Sequence, residues 1–203
     1  MKFSVLLIYV SVILLFSCQQ NNERKLPVLS KYKVENGDTI YQKIPSFQFT
    51  TQDSLLYGSE QLKNKVHVAD FIFTSCPGIC PVMTSQMQRL QEMTKEYPSF
   101  QIVSFTVDPD RDTPFKLKKY ALSHRADLSR WVFLTAPMDS IYKVGIEGYY
   151  LGMQKDSTEP GGYLHSGRFV LIDKEGLIRG YYDGTNANDV NRLANDLKVL
   201  LQE

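Results

Sequence analysis

Cys76 and Cys80 are the residues whose type and spacing most directly predict chemistry. They lie in the loop Cys-Pro-Gly-Ile-Cys-Pro, after an apolar, β-branched and aromatic run at 66–73 that is typical of a buried strand. Apolar residues then recur at the helical period over 82–97, so a helix is predicted to begin near Pro81. The two thiols therefore lie where a strand turns into a helix. Free N–H groups and a positive partial charge at a helix N-terminus favour the thiolate, which binds soft metals or attacks disulfides.

The same pair has a plainer interpretation as a structural disulfide. The chain contains three cysteines, and Cys18 follows the apolar leader at the start of the chain, which leaves Cys76 and Cys80 as the pair. A bond that closes so short a loop removes little entropy from the unfolded chain, and a domain of this size buries a substantial core without it. A structural disulfide is therefore disfavoured as the purpose of the pair. A reversible disulfide between the two sulfurs stays an open possibility.

The three histidines differ in what surrounds them in the sequence. His67 alternates with valines inside the apolar strand run, which predicts a packed or edge position. His124 ends a predicted helix, where a cation complements the helix dipole. His165 lies in Gly-Gly-Tyr-Leu-His-Ser-Gly at 161–167, a predicted loop just before a strand. It is the candidate third member of the site, and an ordinary surface histidine is the alternative.

The order of predicted elements indicates an α/β fold, a thioredoxin-like mixed sheet flanked by helices. The predicted strands are 44–50, 55–57, 66–73, 100–107, 131–135, 168–173 and 177–182. The predicted helices are 81–97, 115–124, 138–144 and 188–201, and the segment 151–162 is predicted to be a loop. In a thioredoxin topology the cysteine loop lies at the carboxyl end of a central strand, and the loop that carries His165 lies beside it.

Two thiolates and one imidazole form a small, soft set of ligands. Sulfur ligands select Cu(I), and an added imidazole makes a site that also holds Cu(II). A structural zinc ion usually takes a fourth protein ligand, and none is evident here. Three residues separate Cys76 from Cys80, unlike the two-residue gap typical of disulfide exchangers, and the wider loop lets both sulfurs face one ion.

The first residues have the pattern of an export signal. Met1-Lys2 precedes an apolar run at 3–16 and the junction Ser17-Cys18, which resembles the lipobox of bacterial lipoproteins. This predicts a signal peptide at 1–17, lipidation of Cys18, a polar membrane tether at 18–43 and a copper-binding domain at 44–203. An uncleaved membrane anchor is the alternative. Both interpretations place the domain in the cell envelope, in the periplasm, and leave the choice of inner or outer membrane open.

Charge argues against one class of partner. The formal net charge is +1, and the 23 basic and 22 acidic residues are interspersed. Without a basic face, the sequence does not indicate binding to nucleic acid.

Three motifs, taken in order, resemble the SCO/SenC family of copper proteins. They are the cysteine loop Cys76–Pro81 after a Phe-rich strand, the charged Val107–Pro114 segment Val-Asp-Pro-Asp-Arg-Asp-Thr-Pro, and His165-Ser166 before a strand that ends in Leu-Ile-Asp. The resemblance covers roughly 47–183. It implies a thioredoxin-like, membrane-tethered metallochaperone, rather than an enzyme, with Cys76, Cys80 and His165 as copper ligands. It also implies the copper-bearing subunit of cytochrome c oxidase as partner, with a copper donor that the sequence does not name.

Two positions depart from the family pattern. The family often has Asp where this chain has Gly78, and often an acidic residue where it has Leu164. Carboxylates beside a metal orient its ligands and tune affinity, so these replacements bear on copper retention and docking. Asp108, Asp110 and Asp112 offer negative charge nearby, although fixing the loop is the favoured role for Asp108 and Asp112. Two other functions stay open: a periplasmic thiol–disulfide reductase in which Cys76 and Cys80 are the redox-active pair, and a copper or redox sensor.

Overall fold

The protein is built around a seven-stranded sheet, and the computed structural model describes residues 24–97 and 99–203. The predicted signal peptide at 1–17 and the lipidation site Cys18 lie outside the described residues. The strands are β1 (Tyr32–Glu35), β2 (Asp38–Tyr41), β3 (Gln48–Thr51), β4 (Leu56–Gly58), β5 (His67–Ile72), β6 (Gln101–Thr106), β7 (Trp131–Thr135), β8 (Met153–Lys155), β9 (Tyr163–His165), β10 (Arg168–Ile172) and β11 (Ile178–Asp183). The helices are α1 (Ser59–Leu62), α2 (Cys80–Met93), α3 (Pro114–Ser123), α4 (Met138–Lys143), continued by a π-helical turn (Val144–Gly148), and α5 (Ala187–Gln202).

The large sheet has the strand order β11-β10-β5-β6-β7-β3-β4. Strands β5, β6 and β7 pair in parallel, whereas the pairings on either side of them are antiparallel. Every residue of β5, β6 and β7 is buried, so both faces of the sheet centre are covered. This confirms the predicted mixed sheet flanked by helices, with β5 as the central strand that leads into the cysteine loop.

The helices begin where their sequences predict. Helix α2 starts at Cys80 with Pro81 in its first turn, where the missing N–H costs nothing. Thr113 caps α3, its hydroxyl accepting a hydrogen bond from the Lys116 N–H, and Pro114 is the first helical residue. Helix α5 buries an apolar stripe against the sheet, formed by Val190, Leu193, Ala194, Leu197 and Leu200.

The segment predicted as a loop at 151–162 contains a strand instead. Strand β8 pairs antiparallel with β9, Met153 opposite His165, in a separate two-stranded sheet. The expectation that His165 sits in a loop is therefore wrong, because it is the last residue of β9. Met153 and Tyr163 are buried, and their packing holds this short ribbon in an otherwise Gly-rich stretch.

Residues 24–30 of the predicted tether pack on the domain. Leu26 and Ser30 are buried, and the Ser30 hydroxyl accepts a hydrogen bond from the Ile178 N–H at 2.9 Å. The Arg179 guanidinium donates to the Leu26 carbonyl at 2.6 Å. None of the described helices has the length and apolar character that a membrane crossing requires. The division of the chain at residue 44 remains a prediction, with the addition that 24–30 is fixed along β11.

Candidate metal centre

The two cysteines and His165 converge at the carboxyl end of β5. One sulfur or nitrogen atom from each of the three lies within 4.8 Å of the others, and the Cys80 Sγ is 3.2 Å from the His165 Nε2. Both cysteines are free thiols. A cation bound about 2.3 Å from sulfur and about 2.0 Å from nitrogen separates its ligands by roughly 3.5–4 Å, so these atoms need only small shifts to share one ion. The donor set and its spacing fit a single soft cation.

The cysteines differ in access to solvent. Cys80 is fully buried at the start of α2, whereas Cys76 is half-buried in the loop, where its N–H donates to the Phe73 carbonyl. Burial raises the pKa of the Cys80 thiol above its ordinary value, and the nearby Cys76 and Asp70 raise it further. The helix N-terminus therefore does not make Cys80 a thiolate on its own, contrary to the sequence expectation. Coordination to a cation deprotonates a thiol outright. Cys80 therefore depends on a bound cation to become a thiolate.

His165 presents a neutral imidazole to the sulfurs. Burial lowers its pKa below the usual value, and its Nδ1 lies 3.3 Å from the Ser166 carbonyl oxygen. A proton on Nδ1 satisfies that carbonyl and leaves the Nε2 lone pair directed at Cys80, whose S–H then donates to it. The Phe73 ring packs edge-on against the imidazole, with centroids 5.6 Å apart. With the proton on Nδ1, the Nε2 atom beside Cys80 is available to bind a metal.

Asp112 ties the charged loop after β6 to the start of the cysteine loop. Its buried carboxylate accepts hydrogen bonds from the Thr74 N–H at 3.0 Å, the Thr74 hydroxyl at 2.5 Å and the Thr106 hydroxyl at 2.6 Å. Because Thr74 precedes Cys76 by two positions, these bonds fix where the cysteine loop leaves β5. The favoured sequence interpretation of Asp112, that it fixes the loop, is confirmed.

Asp108 performs the same task for the histidine strand. Its carboxylate accepts a hydrogen bond from the Tyr163 hydroxyl at 2.9 Å and pairs with the Arg111 side chain. Arg111 in turn donates to the Gly161 carbonyl at 2.7 Å. Gly161 has a φ of +90°, and a Cβ there would lie 2.7 Å from the Phe73 ring, so only glycine fits. One charged loop therefore positions both halves of the ligand set.

Asp70 is a buried carboxyl that the sequence interpretation passed over. It lies in the middle of β5 with no exposed surface, and the Ser104 hydroxyl donates to its Oδ1 at 2.5 Å. Burial raises its pKa to about 7. A lone acidic residue inside an apolar strand run was the available signal in the sequence. Tyr163, which links Asp108 to the histidine strand, was also passed over.

The other two histidines lie away from the sulfurs. His67 is buried at the opposite end of β5, with its Nε2 3.3 Å from the Tyr149 hydroxyl. His124 caps the end of α3, where its Nδ1 approaches the Tyr120 carbonyl oxygen at 2.9 Å. The structural roles predicted for both are confirmed, and of the three histidines His165 is the one that joins the cysteines.

Comparison with known proteins places this geometry in a family. The SCO1/SenC family model matches residues 37–202. A SCO1/SenC family lipoprotein from Bacillus anthracis is 37% identical, with a TM-score of 0.74 over 78% of this chain and 95% of that one. BsSco, a member of the Sco family of cytochrome c oxidase assembly proteins with an identified disulfide switch, is 28% identical, with a TM-score of 0.71 over 87% of this chain and 99% of that one. ScoI of Bradyrhizobium japonicum, solved with copper bound, is 27% identical, with a TM-score of 0.66 over 78% and 99%.

The family match extends over most of the chain, from the β2 strand to the last turn of α5. The matched region contains all three motifs on which the sequence resemblance rests, and the thioredoxin-like sheet agrees with the solved Sco structures. This chain belongs to the SCO1/SenC family.

Proposed function

We propose that this protein is a membrane-tethered copper metallochaperone that holds one copper ion through Cys76, Cys80 and His165. The observation that carries the proposal is the convergence of their ligand atoms within 4.8 Å at the end of β5. Two thiolates and a neutral imidazole suit Cu(I), and also accept Cu(II). The bound copper in the related ScoI protein supports the choice of metal.

Copper is cargo in this proposal, and the unequal exposure of the ligands gives its release a direction. Cys80 and His165 are buried and held by their neighbours, whereas Cys76 is half-buried in a loop. An acceptor thiol can reach the ion only from the exposed side, where Cys76 is the ligand it replaces. Delivery therefore begins with exchange of the Cys76 bond, while Cys80 and His165 keep the ion in place until the acceptor has taken hold.

The proposed acceptor is the copper-bearing subunit of cytochrome c oxidase, and the proposed location is the periplasmic side of a membrane. The described role of BsSco in oxidase assembly supports the acceptor. The Bacillus anthracis relative is a lipoprotein, and the leader with its Ser17-Cys18 junction supports a lipid anchor at Cys18. Mass spectrometry of the mature N-terminus tests the anchor: we expect a diacylglyceryl-modified Cys18, and an intact Met1 or an unmodified Cys18 contradicts it.

A Cu(I) titration tests the metal site. The reduced protein, titrated without oxygen against a chromophoric Cu(I) chelator, should saturate near one equivalent. Cys76→Ser and Cys80→Ser should each lose tight binding, because each removes one of three ligands. His124→Ala is the control, since it removes an imidazole that lies outside the group formed by the cysteines and His165. Unchanged affinity in either site variant would refute the three-ligand centre.

A thiol–disulfide reductase is the second candidate, favoured by the neighbouring free thiols and by the disulfide switch of BsSco. In that role Cys76 attacks a partner disulfide, Cys80 displaces the partner thiol, and the pair ends as a disulfide after giving up two electrons. Such exchange needs two sulfurs but no imidazole ligand. His165→Ala therefore separates the two functions.

A further inference from the structure

The hairpin β1–β2 stands apart from the main sheet. Its strands pair with each other in a two-stranded sheet of their own, and all eight strand residues are exposed. Isolated two-stranded hairpins are marginal in water unless they pack on something. The described residues leave both faces of these strands solvent-exposed, although the hairpin is rich in apolar and aromatic residues.

The two faces of this hairpin are chemically different. The register places Tyr32 opposite Tyr41 and Val34 opposite Thr39, so these four uncharged side chains share one face. The tyrosine rings contact each other with centroids 5.9 Å apart. The other face carries the pairs Lys33–Ile40 and Glu35–Asp38, with Lys33 and Glu35 joined by a 2.6 Å ion pair. We call the first of these, formed by Tyr32, Val34, Thr39 and Tyr41, the tyrosine face.

The tyrosine face is widely exposed for side chains of its kind. Tyr32 is 65% exposed, Val34 63% and Tyr41 37%. Scattered apolar residues are normal on a surface, but a contiguous aromatic and aliphatic face marks a contact surface. Tyrosine is also the residue enriched where protein meets the polar headgroups of a membrane, because its ring is apolar and its hydroxyl is not.

The chain places this hairpin within reach of a membrane. Arg24 follows the proposed lipid-anchored residue, Cys18, by six positions, which span at most about 22 Å when extended. Arg24 is already fixed to the domain by a 2.8 Å ion pair with the buried Asp196 carboxylate. The chain on either side of the hairpin is fixed to the domain as well, because the Leu29 N–H donates to the Ile178 carbonyl at 2.7 Å and the Ile44 N–H donates to the Gly176 carbonyl at 3.0 Å. The short span therefore keeps the start of the described chain, and the domain to which it is fixed, close to the membrane.

The same stretch is basic, although the whole chain is nearly neutral. Residues 24–43 carry a net charge of +3, against +1 for the full sequence. The five cations are Arg24, Lys25, Lys31, Lys33 and Lys43, and the two carboxylates are Glu35 and Asp38. Two of these cations are already paired, Arg24 with Asp196 and Lys33 with Glu35, and the remaining Lys25, Lys31 and Lys43 provide the positive charge that attracts a segment to an anionic lipid surface.

We propose that the tyrosine face lies in the headgroup region of the phospholipid membrane to which the chain is tethered. The proposal rests on the membrane tether of the proposed function, but not on copper. The base of the hairpin meets the main sheet beside the turn at Gly176, whose carbonyl accepts a hydrogen bond from the Ile44 N–H. This turn follows β10 at the end of the sheet where His67 begins β5. The metal centre lies at the other end of this six-residue strand, about 20 Å away. A hairpin seated on the membrane therefore leaves the metal centre directed into the aqueous compartment.

Depth-dependent quenching tests this placement with the full chain, purified in detergent and reconstituted into vesicles. The vesicles contain phosphatidylethanolamine and phosphatidylglycerol, one of them brominated in the upper acyl chain. Val34→Trp reports on the tyrosine face and Ile40→Trp on the opposite face of the same hairpin. Phe115→Trp is the remote control, because Phe115 is 77% exposed at the start of α3, near the metal centre. The natural Trp131 is buried in all variants and gives a constant background.

We expect strong quenching of the added emission for Val34→Trp, weaker quenching for Ile40→Trp and none for Phe115→Trp. Equal quenching at 34 and 40 contradicts the choice of face. Quenching at neither, in a chain that floats with the vesicles, overturns the hairpin contact while the tether stands. A blue-shifted, concentration-dependent emission without quenching points to a second copy of the chain on this face, which also overturns the proposal. A chain that fails to float contradicts the tether, and the hairpin contact with it.

Discussion

His67 and His165 lie near opposite ends of β5, and both are buried, with 3% and 8% of their surface exposed. In both, burial lowers the pKa of the imidazole, to about 4 for His67. The two histidines differ in the groups that surround them. His67 approaches one tyrosine hydroxyl, that of Tyr149, and its Nδ1 has no hydrogen-bond partner among the described residues. His165 faces the sulfur of Cys80 with its Nε2.

The surroundings of the two histidines explain why only one end of the strand is a candidate metal centre among the described residues. At the His165 end, the charged loop after β6 contributes Asp108 and Asp112, whose carboxylates fix the histidine strand and the cysteine loop. At the His67 end, the imidazole lies beside a tyrosine hydroxyl, and the described residues place no thiol there to bind a soft metal. Burial and a lowered pKa therefore do not identify a functional histidine by themselves; its immediate partners do.

The largest expected effect separates the two histidines by copper affinity. His165→Ala removes one of the three proposed ligands. Loss of a group that merely supports a metal ligand costs about 10–100-fold, so we expect the copper affinity to fall by more than about 100-fold. His67→Gln removes an imidazole of similar burial but keeps a polar group for Tyr149, so copper affinity should not change. Competition with a Cu(I) chelator measures both. Equal losses in the two variants would mean that the effect is one of folding.

The same pair of variants separates a chaperone from a reductase. His165→Ala leaves Cys76 and Cys80 able to form and exchange a disulfide, because dithiol exchange needs no third ligand. If copper delivery is the task, a strain with His165→Ala should fail to mature its oxidase under copper limitation, as a Cys76→Ser strain would. Normal oxidase activity in the histidine variant, with the protein present at its usual level, would favour the reductase.

The second prediction concerns the loop that makes the His165 end different. Asp112 is fully buried and accepts three hydrogen bonds, whereas Asp110 is exposed two positions earlier. Asp112→Asn keeps one acceptor oxygen but loses the charge, so we expect a loss of about 3 kcal/mol in the free energy of unfolding. This corresponds to a fall in Tm of roughly 6–12 °C. Chemical and thermal denaturation measure it.

Asp110→Asn is the matched control for Asp112→Asn, with an expected change within about 0.5 kcal/mol. The copper affinity of Asp112→Asn should fall as well, because Thr74 no longer fixes the start of the cysteine loop. A stable Asp112→Asn protein with unchanged copper affinity would show that the loop does not position the site.

Much of the His165 end could be predicted from the sequence, for a physical reason. Cys76, Cys80 and the strand before them combine a residue pair with a strong local pattern, and His165 follows from the topology once the strand order is known. The π-helical turn and the β8–β9 ribbon could not be predicted, because short elements owe their conformation to the packing of residues such as Met153 and Tyr163. Local propensity contains little of that information.

At the site itself, the sequence pattern did not predict how deeply Cys80 is buried. The start of a helix predicted a thiolate at Cys80, but the thiol is enclosed, and burial outweighs the helix terminus. The polar contacts of Asp112 and Tyr163 likewise depend on which loops meet in space. The charged loop could be recognised as important from its residues, whereas its partners Thr74 and Tyr163 required the structure.

The third prediction is that His67 makes the free energy of unfolding depend on pH. The folded pKa of His67 is about 4, below the ordinary value of 6.5, so between these pH values the unfolded chain binds a proton that the folded protein does not. The contribution of His67 is therefore fully present above pH 6.5 and is lost as pH falls toward 4. The loss by pH 4 amounts to about 3 kcal/mol.

The difference between wild type and His67→Gln in the free energy of unfolding isolates this contribution. Asp70 has a raised pKa of about 7 and acts in the opposite direction, stabilising the folded state at low pH, but it is present in both proteins and cancels. The difference should change with pH from 6.5 to 4 and level off outside that window. A difference that does not vary with pH would show that His67 does not titrate as its burial indicates.

The smallest expected effect is that of Gly78→Asp, which places a carboxylate beside the cysteines at a position where the family often has one. Gly78 is exposed, and a Cβ there would lie 3.9 Å from the Cys76 Sγ, in ordinary contact, so Gly78→Asp should fold normally. Two thiolates and a neutral imidazole make the Cu(I) complex anionic and the Cu(II) complex neutral. An added carboxylate should therefore favour Cu(II) over Cu(I), by roughly 2–5-fold in the ratio of affinities, because an exposed pair of charges contributes only about 0.2–1 kcal/mol.

Gly78→Asn matches the shape of Gly78→Asp without its charge and should leave the affinity ratio where the wild type has it. Competition titrations with Cu(I) and Cu(II) at low and high salt measure the ratio, and the effect of the aspartate should shrink as salt rises. If the asparagine produces the same shift, or if salt does not alter it, the change comes from the loop backbone and not from charge. In that case the glycine at this position sets the conformation of the cysteine loop, and the contrast between the two ends of β5 depends on backbone shape as well as on ligands.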